Sequence, residues 1–340
     1  MAYNVKDVVA NKPSRFTEGH RMCAGCGAPV VARMVMRALK EEDHAVIGCA
    51  TGCLEVSTFL YPYTAWNDSF IHSAFENAGA TVAGAEAAGI AMKKKGKIPQ
   101  DKEIKYIAFG GDGGTYDIGI QSLSGAMERG HDMVYVCYDN GAYMNTGIQR
   151  SSATPHFADT TTSPAGSVVP GKSQQRKDLT MIMANHHIPY VAQTAPLGSK
   201  HGGFRDLHEK AEKAIYTKGA AFMNVLAPCP RGWRYDTPKL IEMCYLAVDT
   251  CFWPLYEVVD GKNQFTDLIT NNPDGLSKDE ADARYAGGVL TQMPIVEDPE
   301  VFLALKSLPQ QKAASQLWCQ ADTSWLLSPL YFDSETTTEN

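Results

Sequence analysis

The chain has 340 residues, 44% hydrophobic and 20% charged, enough to bury a substantial core as one large domain or two. Its 31 Lys and Arg are interleaved with 38 Asp and Glu to a net charge of -7, which leaves no basic footprint for nucleic acid. No stretch approaches the roughly 18 apolar residues of a membrane helix, and Met1 to Arg15 lacks the apolar core of a signal peptide, so a cytoplasmic protein with no membrane contact is expected.

From the N-terminus, MCAGCG carries Cys23 and Cys26, followed by a predicted helix over 28–40 and a predicted strand over 45–48. GCATGCLEV then brings Cys49 and Cys53. An Ala- and Gly-dense segment predicts a helix over 74–95 whose small residues suit either close internal packing or a protein interface. A strand over 104–109 runs into the glycine-rich GGDGG, and a helix is expected from Asp117 or Ile118 to Arg129. The strand over 133–138 ends in DNGAYMNTG. Residues 150–177 have no periodicity, and a loop of that length is expected to contact the active site or a partner. Helices over 179–186 and 204–218 and strands over 189–192 and 220–226 complete the alternation, and LAPCP places Cys229 just past the final strand. The pattern predicts an α/β fold with a mostly parallel sheet and helices on both faces. Residues 1–260 form the expected cofactor domain and 261–340 a C-terminal arm held against partner subunits.

Two constellations carry chemistry. Gly110, Gly111, Asp112, Gly113 and Gly114 follow a strand directly, where glycines let backbone approach a ligand and the amides of a helix start favour phosphate. Asp112 can hold Mg²⁺, a hard cation that bridges to phosphate oxygens. Twenty-eight residues later Asn140 offers an amide oxygen at the next strand end. The second constellation is the cysteines. Nine of them, an odd number without secretory features, point to metal or cofactor chemistry before disulfides. Cys23 and Cys26 can reach one centre from a tight turn, with Cys49, Cys53 and Cys229 as candidate partners. Spacing leaves Cys₄ zinc and Cys₄ iron-sulfur both open.

GDG followed by the Asn-bearing strand end resembles the diphosphate-binding motif of thiamine-dependent enzymes. Taken in order, CAGCG, ATGC, GDG, DNGAYMNTGIQR and LAPCP resemble the β subunit of the pyruvate or 2-oxoacid:ferredoxin oxidoreductases from about His20 to Tyr256. The resemblance implies a thiamine-diphosphate-binding fold. It also implies Mg²⁺ held by Asp112, Asn140 and the Ala142 carbonyl, with Gly111 and Gly113 facing the diphosphate. Cys23, Cys26, Cys53 and Cys229 would bind a [4Fe-4S] cluster, leaving Cys49, Cys137, Cys244, Cys251 and Cys319 as small buried hydrophobes. Asn145 would face substrate and steady a developing oxyanion as the catalytic residue of this chain, with Thr146 and Gln149 supporting its loop.

The implied reaction is coenzyme A-dependent oxidative decarboxylation of a 2-oxoacid, with thiamine pyrophosphate as electron sink and electrons leaving through the cluster. The carboxylate that activates thiamine resembles a contribution from a separate α subunit, since neither Glu55 nor Glu76 sits in a motif for it. No ferredoxin-like cysteine run is present, so γ- or δ-type subunits with their own clusters, and ferredoxin or a nicotinamide-reducing module, are expected partners. Pyruvate is the commonest substrate of the family. Gly141, standing where a larger acidic residue is expected, suggests added room and makes phenylglyoxylate, indolepyruvate or oxalate alternatives. A zinc-stabilised non-catalytic interaction subunit and a non-redox thiamine-dependent decarboxylase are the competing classes.

Overall fold

A computed structural model describes residues 14–168, 171–198, 204–249 and 252–265. The strands are β1 (His44–Ala50), β2 (Ser69–Ser73), β3 (Ile104–Gly111), β4 (Val134–Asp139), β5 (Ala142–Tyr143), β6 (Gln149–Arg150), β7 (Tyr190–Thr194), β8 (Ala221–Leu226), β9 (Tyr256–Val259) and β10 (Lys262–Phe265). The α-helices are α1 (Gly27–Arg37), α2 (Cys53–Thr58), α3 (Ala78–Lys94), α4 (Ile120–Glu128), α5 (Leu179–Ala184), α6 (Arg205–Tyr216) and α7 (Leu240–Asp249). Eight strands form one sheet in the order β10-β9-β7-β8-β4-β3-β1-β2, while β5 and β6 pair separately. From β7 across to β2 every neighbouring pair is parallel, and β9 and β10 add an antiparallel edge.

The central strands β4, β7 and β8 are buried at every residue, the consequence of helices covering both faces of a parallel sheet. On one face Val31 and Val35 of α1 and Leu207 and Ala211 of α6 pack with Ile47, Ile107, Val136 and Met223. On the other, Val82 of α3, Leu123 of α4 and Met183 of α5 pack with Ala108, Tyr135 and Phe222. Two small residues of α3 are used inside the molecule: a Cβ on Gly79 would lie 3.1 Å from the Leu123 backbone of α4, and one on Gly89 would lie 1.8 Å from the Tyr106 hydroxyl, whereas Gly84 is exposed with nothing near it.

All five expected strands and five expected helices are present, with ends displaced by a few residues. Three features differ. A π-helical turn, Gly113–Ile118, begins directly after Asp112, ahead of the expected helix start, because Gly119 donates to the Gly114 carbonyl five residues back. The edge strand β2 is largely solvent-facing and so lacks an apolar run to announce it. Finally, β9 and β10 form a hairpin across residues 260–261, so sheet structure continues to Phe265. The remainder of the expected C-terminal arm lies outside the described residues.

Candidate cofactor and metal site

The parallel strands deliver both constellations to their carboxyl ends, where open α/β sheets bind ligands. Asp112 follows β3, Asn140 follows β4, Cys53 opens α2 three residues after β1, and Cys229 lies three residues after β8. A cleft of about 330 Å³ is lined by Thr51, Gly52 and Cys53 on one side and by Gly111, Asp112, Gly113, Asn140 and Ala142 on the other. Asn145 and Thr146 complete its wall. Gln149 donates to the Thr146 carbonyl at 2.8 Å and so braces that segment.

Asp112 is 1% exposed. Ser151 Oγ donates to its Oδ2 at 2.5 Å and the Asn140 backbone N–H donates to its Oδ1 at 3.3 Å. Burial, and then the nearby Asp139 carboxylate, push the Asp112 carboxyl well above the usual range, while Ser151, Asn140 and Arg176 pull it back. The side-chain amide of Asn140 reaches to 2.8 Å from both Asp112 Oδ1 and the Ala142 carbonyl oxygen. With its NH₂ facing them it donates to both. After a half-turn of the amide, three oxygen donors converge. Ligands at 2.0–2.1 Å and right angles, as on octahedral Mg²⁺, lie about 2.9 Å apart. The oxygen donor set and its spacing fit that ion.

The turn that presents these donors is held from below. Gly141 N–H donates to Asp139 Oδ1 at 3.0 Å, and Asp139 Oδ2 is paired with Arg176 Nη2 at 2.7 Å in a buried salt bridge. Arg176 also donates to Tyr116 Oη at 3.0 Å and lies over the Trp253 ring at 4.5 Å. Gly141 itself has φ +79° and is not among the cleft-lining residues. The left-handed backbone there favours glycine in its own right.

Residues from the 150–177 loop reach this assembly, one of the two placements expected for it. Besides Ser151 and Arg176, Thr154 Oγ1 donates to the Gly141 carbonyl at 2.5 Å. The buried Lys172 Nζ organises the loop by donating to the carbonyls of Ser152, Thr154 and Gln175 at 3.2, 2.5 and 3.3 Å. None of Ser151, Lys172 and Arg176 belongs to a recognisable motif. The one sequence signal was the length of the aperiodic loop.

The four cysteines singled out by resemblance are neighbours. Burial pushes Cys26 up to about 12, and the Cys229, Cys53 and Cys23 sulfurs add to the effect. Cys53 is likewise pushed up to about 12 by burial, then by Cys229, Cys23 and Asp112. Burial therefore disfavours the charged thiolate at Cys26 and Cys53. Tyr235 Oη lies 2.6 Å from the Gly25 carbonyl and 3.0 Å from that of Pro228, joining the two cysteine loops. Gly25 needs to be glycine on two counts: its φ is +75°, and a Cβ would lie 2.4 Å from the Thr237 carbonyl oxygen. Trp233 links both constellations, its backbone N–H donating to the Cys229 carbonyl and its indole N–H to the Asn140 carbonyl, each at 2.8 Å. Among the described residues, no three His, Cys, Asp or Glu side chains are grouped closely enough to hold a single metal ion. Cys49, Cys137 and Cys244 are fully buried, as expected, while Cys251 and Cys319 fall outside the described residues.

Residues 47–225 match the family model described as thiamine pyrophosphate enzyme, C-terminal TPP binding domain. The chain is 50% identical over 270 residues to pyruvate synthase subunit PorB of Thermotoga maritima, covering 78% of this chain and 82% of that one. It is a β subunit of the 2-oxoacid:ferredoxin oxidoreductase family. The PorB subunit of Methanocaldococcus jannaschii is 54% identical over 251 residues, covering 74% of this β subunit and 82% of the relative. Ketoisovalerate oxidoreductase subunit VorB of Pyrococcus abyssi is 43% identical over 248 residues, covering 73% and 76%. The β subunit is thus part of a multi-subunit oxidoreductase with a thiamine pyrophosphate-binding domain. Among its described residues no helix is long and apolar enough to cross a membrane. Among the described residues, Asp112 is the one carboxylate lining its cleft. Glu55 is buried and faces His72 at 3.5 Å, and Glu76 does not line the cleft.

Proposed function

We propose that this β subunit supplies the thiamine and electron-acceptor half of an active site for coenzyme A-dependent oxidative decarboxylation of pyruvate. The observation that carries the reading is the meeting, within one cleft, of Asp112, Asn140 and Ala142 as a hard-cation donor set with Cys53 from the thiol quartet. Asp112, Asn140 and the Ala142 carbonyl would hold Mg²⁺, and Gly111 and Gly113 would face the diphosphate it bridges. Thiamine pyrophosphate, when bound, supplies the electron sink that loss of CO₂ from a 2-oxoacid requires. Asn145, on the same cleft wall, would donate its amide to an oxygen that gains charge during the reaction.

Cys23, Cys26, Cys53 and Cys229 would hold a [4Fe-4S] cluster, the immediate electron acceptor. A tetrahedral zinc ion with Zn–S near 2.3 Å draws its sulfurs to about 3.8 Å from one another. What supports the cluster over a zinc ion is the order of the CAGCG, ATGC and LAPCP motifs that carry these cysteines. Backbone amides are in place for ligated sulfur: Gly232 N–H donates to Cys229 Sγ at 3.4 Å.

With Asp112 as the cleft's own carboxylate and committed to the cation, the group that activates thiamine comes from an α subunit across the cleft mouth. Electrons pass on to subunits with further clusters and then to ferredoxin. The PorB relatives favour pyruvate over an aromatic 2-oxoacid, since the case for the latter rested on Gly141. A panel of pyruvate, 2-oxoisovalerate and phenylglyoxylate, assayed by viologen reduction with the complete complex and coenzyme A, tests this. The highest kcat/KM is expected for pyruvate, and preference for phenylglyoxylate would overturn it.

A further inference from the structure

Tyr138 is a buried residue that neither constellation uses. It lies on β4 between Gly111 of β3 and Val225 of β8 in the sheet register, and its side chain is 2% exposed. Its hydroxyl is closed off from solvent, and among the described residues its O–H proton finds no acceptor. The slot around it is made by two cleft-lining glycines: a Cβ on Gly52 would come within 2.7 Å of the hydroxyl, and one on Gly111 within 3.3 Å of the ring. The Leu54 amide at the start of α2 faces the oxygen, which leaves the O–H proton without an acceptor. Withholding a partner from a buried hydroxyl is costly, so the position calls for an acceptor that the free chain does not present.

The candidate acceptors around the slot are Cys53 beside Gly52, Asp112 beside Gly111, and Cys49 near the end of β1. Asp112 already accepts from Ser151 and Asn140. Cys49 is enclosed in the core with its thiol turned to the Ala50 carbonyl at 3.7 Å. Cys53, next to Gly52 and partly exposed in the cleft, remains. As a neutral thiol it is a weak acceptor, and as a metal-bound thiolate a strong one.

We propose that Tyr138 is a positioning residue of the thiol quartet, its hydroxyl donating to the Cys53 sulfur when that sulfur is a metal ligand and thereby setting the centre's reduction potential. The inference rests on the quartet being a [4Fe-4S] site. Reduction adds negative charge to the cluster, so a hydrogen bond to ligand sulfur favours the reduced form and raises the potential. Gly52 is part of the device, because any side chain there would occupy the space of the hydroxyl. Tyr138 and Cys53 both line the cleft proposed for thiamine.

The test compares the holo complex with its Tyr138→Phe counterpart. Iron, sulfide and thiamine contents report on the site itself. An EPR-monitored redox titration, and ENDOR spectra of the reduced centre in H₂O and D₂O, report on the hydrogen bond. The relevant signal is the one lost in Cys53→Ser. Expected for Tyr138→Phe are unchanged iron, sulfide and thiamine, a more negative midpoint potential, and loss of one exchangeable proton coupling. An unchanged potential with unchanged couplings would overturn the assignment. So would a wild-type centre that lacks any exchangeable proton coupling, a result independent of whether the variant assembles. Zinc in place of iron in the wild-type quartet would overturn both this inference and the cluster reading, whereas wild-type iron with an indifferent variant overturns this inference alone.

Discussion

Replacing Ser151 with Ala removes the hydrogen bond that its hydroxyl gives Asp112 at 2.5 Å without touching any of the three oxygen donors. A hydrogen bond to a charged acceptor contributes about 1.5–3 kcal/mol. Loss of a group that orients a metal ligand typically lowers metal affinity about 10–100-fold, or about 1.4–2.7 kcal/mol. The two estimates agree. The pH dependence has a definite sign. In the folded chain the Asp112 carboxyl is held above its ordinary range by burial first and Asp139 second. The stability this acid contributes is present at low pH and lost as pH rises through its raised value, and the cation reverses that loss by displacing the proton. Ser151 favours the ionised form, so its removal raises the carboxyl further and makes proton competition stronger. Titration of Mg²⁺ into cofactor-stripped complex at saturating thiamine pyrophosphate, followed calorimetrically, should show weaker binding for Ser151→Ala, with the deficit widest at acidic pH. Equal affinities, or a deficit independent of pH, would refute the reasoning.

Arg176→Met leaves Asp139 buried without its partner and should cost about 3–5 kcal/mol in urea unfolding. Adding Asp139→Asn should return most of it, and no recovery would show that the ion pair is not the reason. Asp178 caps α5 by accepting from the Met181 amide at 3.1 Å, and burial pushes its carboxyl up to about 6. Its stabilising contribution is complete below the ordinary carboxylate value and is lost as pH rises through about 6. Asp178→Asn, which keeps an acceptor at the cap, should therefore gain about 1–3 kcal/mol at pH 8 and nothing at pH 4. Equal gains at both pH values would contradict it. Gly25→Ala meets both a left-handed φ and the Thr237 carbonyl, so iron content after anaerobic reconstitution should fall sharply while thiamine content holds.

The site and the fold were legible in the sequence to different depths. Motifs that place donors at strand ends, GGDGG and DNGAYMNTG, could be read directly, because strand periodicity fixes where the chain emerges and glycine marks close approach. The helices and central strands were legible for the same reason: buried on both faces, β4 and β8 read as continuous apolar runs. The supports were hidden. Ser151 lies 39 residues from Asp112 and Arg176 lies 37 from Asp139, in a loop with no period, so only folding brings them together. Tyr138 reads as an ordinary strand residue, and its orphan hydroxyl exists only against Gly52 and Gly111 in three dimensions. Gly141 is another such case. Its left-handed φ, a reason for glycine independent of substrate room, is invisible in the sequence.

The most direct test of the account is the cofactor content of the complex purified with Asp112→Ala in this subunit. Thiamine pyrophosphate and its magnesium should be absent, with iron and sulfide at wild-type levels, because the quartet draws on none of the three oxygen donors. Wild-type thiamine content in that variant would contradict the account.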